Sequence, residues 1–209
     1  PIVAGNHDLG RVGELARFDD HTFERAHQEA RAAYGDGNAD QLYVGDLGGQ
    51  LWRFDVANGQ SGASLVSGGV ILDVGGSTAA TNRRFHYPPS VALAKKDGAT
   101  YLALAIGSGW REHPLDTVVD DRFYTLKQTA VFGPPKNAGG AITYTKLTEA
   151  NLYDVTDNLI QQGNAAEQSA ALAGLAGSQG WYIRLEGDGE KALAPAEIFN
   201  EQIIFSSFT

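Results

Sequence analysis

The stretch QLYVGDLGGQLWRFDV, residues 41–56, decides the architecture. Two runs of aromatic and branched apolar residues at period two flank the pair Gly48-Gly49. That pattern predicts a β-hairpin, because glycine alone takes positive φ without steric cost. Working outward, TYLALAIGS (100–108) and RFYTLKQ (122–128) repeat the theme, with a long loop over 109–121 in place of the tight turn. GWYIRLE (180–186) and EIFNEQIIFSSF (197–208) supply a third version. The shared kernel is an aromatic-rich strand: Leu51-Trp52-Arg53-Phe54, Phe123-Tyr124-Thr125-Leu126 and Tyr182-Ile183-Arg184-Leu185. Each kernel is expected to end a four-stranded blade.

Irregular repetition of such units, about 40–50 residues apart, predicts an all-β chain with helical insertions that forms part of a β-propeller. Residues 1–209 are expected to make one propeller fragment of about three to four blades. One helical insertion falls near 14–35, where Asp20 can cap a helix over 21–34, Arg25 and Glu29 stand one turn apart, and Gly35 can close the end. Further helical segments are expected near 148–176: one over 148–162 with Leu152, Val155 and Leu159 on one face, and an Ala-rich one over 165–176. So few blades would leave unpaired strand edges, so more protein is expected before Pro1 and after Thr209. Pro at position 1 and the absence of Met point to a processed piece, so a missing targeting segment carries no information.

Composition narrows the function classes. A chain of 209 residues, 43% hydrophobic, can bury a real core. No apolar run approaches the ~18 residues needed to cross a bilayer, so no membrane span is expected. Against 25 Asp+Glu there are only 16 Lys+Arg, a net charge of −9. The best basic clusters, Arg83-Arg84 and Lys95-Lys96, are too small for a phosphate backbone, so nucleic acid is not an expected partner. With no cysteine there is no disulfide, thiolate metal site or thiol nucleophile. Neither a G-x-S-x-G elbow, H-E-x-x-H nor a P-loop occurs, and the five histidines are scattered. Catalytic constellations are therefore poor in this sequence.

Several segments together resemble one family. They are LYVGDLGGQLWRFDV (42–56), NRRFHYPPSVAL (82–93), YLALAIGSGWREHPLDTVVDD (101–121) followed by Arg122-Phe123-Tyr124, LYDVT (152–156), GWYIRL (180–185) and Gly189-Glu190-Lys191. Over most of residues 36–209 the chain is similar to the C-terminal quinoprotein-like propeller of the PilY family, type IV pilus biogenesis factors and tip-associated adhesins of Gram-negative bacteria. The resemblance implies a non-enzymatic surface or pilus-tip protein that supports pilus extension against retraction. It implies minor pilins at the fibre tip as partners, with host or abiotic surfaces as further ligands. The place it implies is the cell surface, pilus tip, outer membrane or periplasm.

In that family a calcium loop of the form Asp-x-Asp/Asn-x-Asp-Gly-x-x-Asp lies just before the strand ending in Gly-Asp. Calcium takes six to eight oxygens, and alternate acidic or amide side chains on a tight loop can wrap one ion. Here Asp36-Gly37-Asn38-Ala39-Asp40 precedes Leu42-Tyr43-Val44-Gly45-Asp46, a partial match. If Asp40 is the last acidic ligand, Asp36 is central and the two earlier positions fall on Ala32 and Tyr34, which carry no carboxylate. Asn6 or Asp8 could then supply oxygen if residues 9–35 split the loop. Alternatively Asp36, Asn38 and Asp40 are the first, third and fifth ligands, with the Leu42 carbonyl next and Gln41 where glycine is usual. Asp46 is a further candidate. The same cluster also reads as an Asx-rich turn between a helix and a strand. Calcium is the cofactor implied, and no organic cofactor is expected.

Among the three tryptophans, Trp52 and Trp181 fall in expected strands, where packing explains them. Trp110 falls in the loop after Gly107, so Trp110, Arg111 and His113 are candidates for a recognition surface. Arg83 and Arg84 are expected to pair with acids such as Asp120 or Asp121. Two other function classes stay open. One is a quinoprotein-type dehydrogenase using pyrroloquinoline quinone, although the vicinal Cys pair common in such sites is absent. The other is a lectin-like module.

Overall fold

The structure is a computed structural model that describes residues 40–209, Asp97 and Glu201 excepted. The insertion expected near 14–35 lies outside the described residues, as do Asp8, Asp36 and Asn38. The described part is mostly β, with ten strands in three sheets.

The hairpin expected from residues 41–56 forms. β1 (Gln41–Gly45) runs antiparallel to β2 (Gln50–Val56), and Gly45 faces Leu51. Asp46 builds the turn, its Oδ1 accepting from the amides of Gly48 at 2.8 Å and Gln50 at 2.9 Å. Gly49 has φ +74°, and a Cβ there would stand 2.7 Å from the backbone of Gly75. That position therefore requires glycine twice over, for its dihedral and for its close approach.

β3 (Val66–Asp73) adds to β2, with a bulge where the partner of Leu51 is Leu72 and that of Trp52 is Val70. The bulge turns consecutive residues Ile71 and Leu72 into the core. A single parallel bridge between Leu72 and Leu147 continues this sheet by one more chain segment.

The second sheet has the order β4-β5-β6-β8-β7. Its strands are β4 (Ser90–Lys96), β5 (Ala99–Gly107), β6 (Arg122–Gln128), β7 (Tyr153–Asp154) and β8 (Gly180–Arg184). The pairing of β5 with β6 across the long loop is as the sequence predicts. The kernels at 123–126 and 182–185 do not end separate blades. They lie side by side in one sheet, with Tyr124 opposite Tyr182 and Thr125 opposite Trp181. The reason is at Gly180, where a Cβ would stand 2.0 Å from the Thr125 carbonyl oxygen, so only glycine lets β8 start there.

The 148–162 stretch is not one helix. A 3-10 turn (Glu149–Asn151) is followed by β7, which pairs parallel with β8, and then by the short helix α1 (Leu159–Gln162). The Ala-rich helix is present as α2 (Ala165–Gly177), with Asn164 accepting from the amides of Ala166 and Glu167 as its cap. β9 (Glu197–Phe199) and β10 (Gln202–Ile204) form a hairpin of their own.

The five-stranded sheet is covered on both faces. One face shares a core with the first sheet, including Tyr43, Leu51, Leu72, Phe85, Leu104, Ile106, Tyr124 and Leu126. On the other, Phe123 and Trp181 meet Leu175 of α2 and Ile198, Ile203 and Phe205 from the region of β9 and β10. Phe123 and Phe205 stack at 4.0 Å. Trp181 is thus a packing residue, as expected of a strand tryptophan. The described sheets are open, with no closed ring among them.

Candidate functional site

Two segments that are separate in sequence meet at one end of the second sheet: residues 82–87, leading to β4, and the loop 108–121 between β5 and β6. Backbone bonds fix the meeting, with the Gly109 amide donating to the Arg84 carbonyl at 3.0 Å and the Asp120 amide to Ala80 at 2.8 Å. Side chains then interleave. The Arg84 guanidinium lies 4.0 Å from the Trp110 ring centre, and the His113 ring packs 4.1 Å from the same indole. Arg111 reaches over Tyr87 at 5.7 Å, and His86 Nε2 stands 3.3 Å from Glu112 Oε2. Trp110, Arg111 and His113, the candidate recognition residues, are therefore brought together. Arg84, His86, Tyr87 and Glu112 join them, and sequence reasoning had no signal for that.

Burial pushes His86 below its ordinary value; Arg111 and Arg84 add to the depression while the carboxylate of Glu112 opposes it. The imidazole is thus biased toward its neutral form, chiefly by burial, between charges of both signs.

Beneath the loop lies a polar anchor. Ser108 Oγ donates to Asp121 Oδ1 at 2.6 Å and accepts from the Arg122 amide at 3.0 Å. Lys191, 1% exposed, donates to the Asp116 carbonyl at 2.6 Å and so holds the far side of the loop. Burial raises the Asp121 carboxyl above the ordinary carboxylate value, against the bond from Ser108 and the charges of Lys191, Arg83 and Arg84.

The arginine pair departs from expectation. Arg83 Nε donates to the backbone carbonyl of Asp120 at 2.7 Å, and its carboxylate partner is Glu149 at 3.1 Å. Glu149 also accepts from Arg122 at 2.7 Å and from the Tyr124 hydroxyl at 2.6 Å, so it is the hub of a largely buried network. Arg84 packs on the Trp110 ring instead of pairing with an acid; Asp121 is buried and accepts from Ser108, while Asp120 is exposed.

Of the candidate metal ligands, Asp40, Leu42 and Asp46 are described. Asp40 Oδ1 accepts from Asn58 Nδ2 at 2.8 Å, and its carbonyl accepts from the Val56 amide at 2.8 Å. Leu42 lies in β1 opposite Phe54, two residues along that ladder from the Asp40–Val56 bond, which places its carbonyl in the sheet. Asp46 directs one carboxylate oxygen to two turn amides and the other to Trp52 Nε1 at 2.8 Å. Among the described residues no group of three or more His, Cys, Asp or Glu side chains could hold a metal ion.

Comparison with solved structures finds the C-terminal domain of Pseudomonas aeruginosa PilY1, at a TM-score of 0.55 and 18% identity over 83% of this chain. The chain has a PilY1-like C-terminal-domain fold. It spans 42% of the PilY1 chain in that structure. No family model matches the sequence, and neither does any curated protein. No helix among the described residues of this PilY1-like chain is long and apolar enough to cross a membrane.

Proposed function

We propose that this chain is part of the C-terminal propeller of a type IV pilus biogenesis and tip-associated adhesion factor, acting through protein contacts and not as an enzyme. The observation that supports this is the fold shared with the C-terminal domain of PilY1. In this reading the open sheets are blades of a larger ring, minor pilins at the fibre tip are the partners, and the protein works at the cell surface or in the envelope. It supports pilus extension against retraction and contacts host or abiotic surfaces.

Calcium regulation belongs to the same proposal. Asp36, Asn38 and Asp40 are its ligands, with Asp8 as a further donor, while the Leu42 carbonyl fits less well because it lies in the β1–β2 ladder. Asp46 fits less well, since both of its carboxylate oxygens already face N–H donors.

The test is deletion of the coding segment for residues 40–209 in the source bacterium, with surface pili counted by electron microscopy. Loss of surface pili, restored when retraction is disabled, is the expected result. Unchanged pili and unchanged surface attachment would overturn the proposal.

A further inference from the structure

We propose that the corner built by Arg84, Arg111, Trp110, His113 and Tyr87 is a docking site for an acidic peptide segment of a partner protein. The chain carries a net charge of −9, yet its described part gathers two guanidinium groups here without giving either a carboxylate. Arg84 is held against Trp110 at 4.0 Å and donates only to the Asn82 carbonyl, at 3.0 Å. Arg111 is exposed and rests on Tyr87 at 5.7 Å. Glu112, the residue after Arg111, stands 3.3 Å from His86 Nε2 and makes no ion pair with either arginine. Other arginines of the described part behave differently: Arg53, Arg83, Arg122 and Arg184 all have carboxylate partners.

A guanidinium stacked on a ring keeps its N–H edge free and fixed, which suits the two oxygens of a carboxylate. Tryptophan, tyrosine and arginine are also the residues that dominate binding energy in protein interfaces. The loop that carries them is anchored from below through Asp121 and Lys191, so little order has to be gained on binding. Leu115, 84% exposed on the same loop, offers a partner an apolar contact as well. A sugar fits less well, because the Trp110 ring is already covered by Arg84 and His113. Nucleic acid fits less well still, given the net charge.

The test uses the full chain and a dye-labelled hexaglutamate peptide, read by fluorescence anisotropy at low salt. Binding should fall about tenfold in the Arg84→Gln/Arg111→Gln double variant, and less than about twofold when exposed Lys95 and Lys96 are both changed to Gln. Arg111→Gln alone, whose side chain only rests on Tyr87, should weaken binding without altering the melting temperature, which separates recognition from folding. Absence of binding by the unaltered chain would overturn the proposal, and so would equal losses in the two double variants. Stronger binding of polygalacturonate would assign the site to an acidic glycan and overturn it too. Peptide-independent dimers lost with Arg111→Gln would assign it to a second copy of this chain.

Discussion

Arg53 and Asp55, two residues apart on β2, form a bidentate ion pair inside the protein, with Nη2 2.7 Å from Oδ1 and Nε 2.9 Å from Oδ2. Two backbone carbonyls, Ala130 and Gly133, accept from the same Arg53 nitrogen at 2.8 Å. Tyr144 donates to Asp55 at 2.7 Å and sits 2.9 Å from Ser67 Oγ. Removing one partner strands a buried charge, so Asp55→Ala should cost about 3–5 kcal/mol. Replacing the pair together with apolar residues of similar volume should cost much less. Urea unfolding of the single and double variants checks this.

Glu149 ties three side chains at once, so its loss should be felt beyond one hydrogen bond. Glu149→Ala leaves Arg83 and Arg122 near each other without their shared acid and is expected to destabilise by about 3 kcal/mol. Tyr124→Phe, which removes one bond to the same carboxylate, should cost about 1 kcal/mol. Burial, with Glu149 beside it, holds the Tyr124 hydroxyl well above its ordinary value, so its ultraviolet titration should be absent until the protein unfolds in alkali.

His86 gives a pH signature. Its folded value is depressed below the ordinary 6.5, so the folded state prefers the neutral ring. Its contribution to stability is therefore complete above pH 6.5 and is lost as the pH falls below it. The melting temperature of the unaltered chain should drop on acidification from pH 6.5, and His86→Gln should flatten that part of the profile. Identical slopes would assign the acid loss to other groups.

Gly49 and Gly59 separate two costs of substitution. Both have positive φ, at +74° and +84°, but nothing lies within 4 Å of a Cβ at Gly59. Gly59→Ala should therefore cost only the dihedral strain, about 1 kcal/mol. Gly49→Ala adds a collision with Gly75 and should cost clearly more, read as a lower urea midpoint.

For calcium, the expected outcome is a rise in melting temperature of the metal-stripped chain that magnesium at equal ionic strength does not reproduce. At a hundred times the dissociation constant the ion should add about 2.7 kcal/mol, and Asp40→Ala should abolish the gain. A shift of the same size with both ions would reduce it to general screening.

What could be read in advance follows from the range of the forces involved. The hairpin at 41–56, the pairing of β5 with β6 and the capped helix α2 depend on alternation, glycine and a local cap, all visible within a short window. Which face of β2 turns inward was not visible: Trp52 and Phe54 make the more apolar face, yet Arg53 and Asp55 are the buried pair. The group that completes that pair, Tyr144, is 89 residues from Asp55. Helical spacing at 148–162 was overridden because Tyr153 and Asp154 find hydrogen-bonding partners in β8. At the candidate site the sequence marks Trp110, Arg111 and His113 as loop residues, while the contact with Arg84 is made only when two loops are folded together.

Lys191 has a mechanical meaning. Its amide and carbonyl exchange hydrogen bonds with Phe208 at 2.9 and 2.8 Å, while its side chain grips the Asp116 carbonyl. One residue therefore couples the segment at Phe208 to the loop that bears Trp110, so a displacement of either is passed to the other through the Lys191 ammonium group.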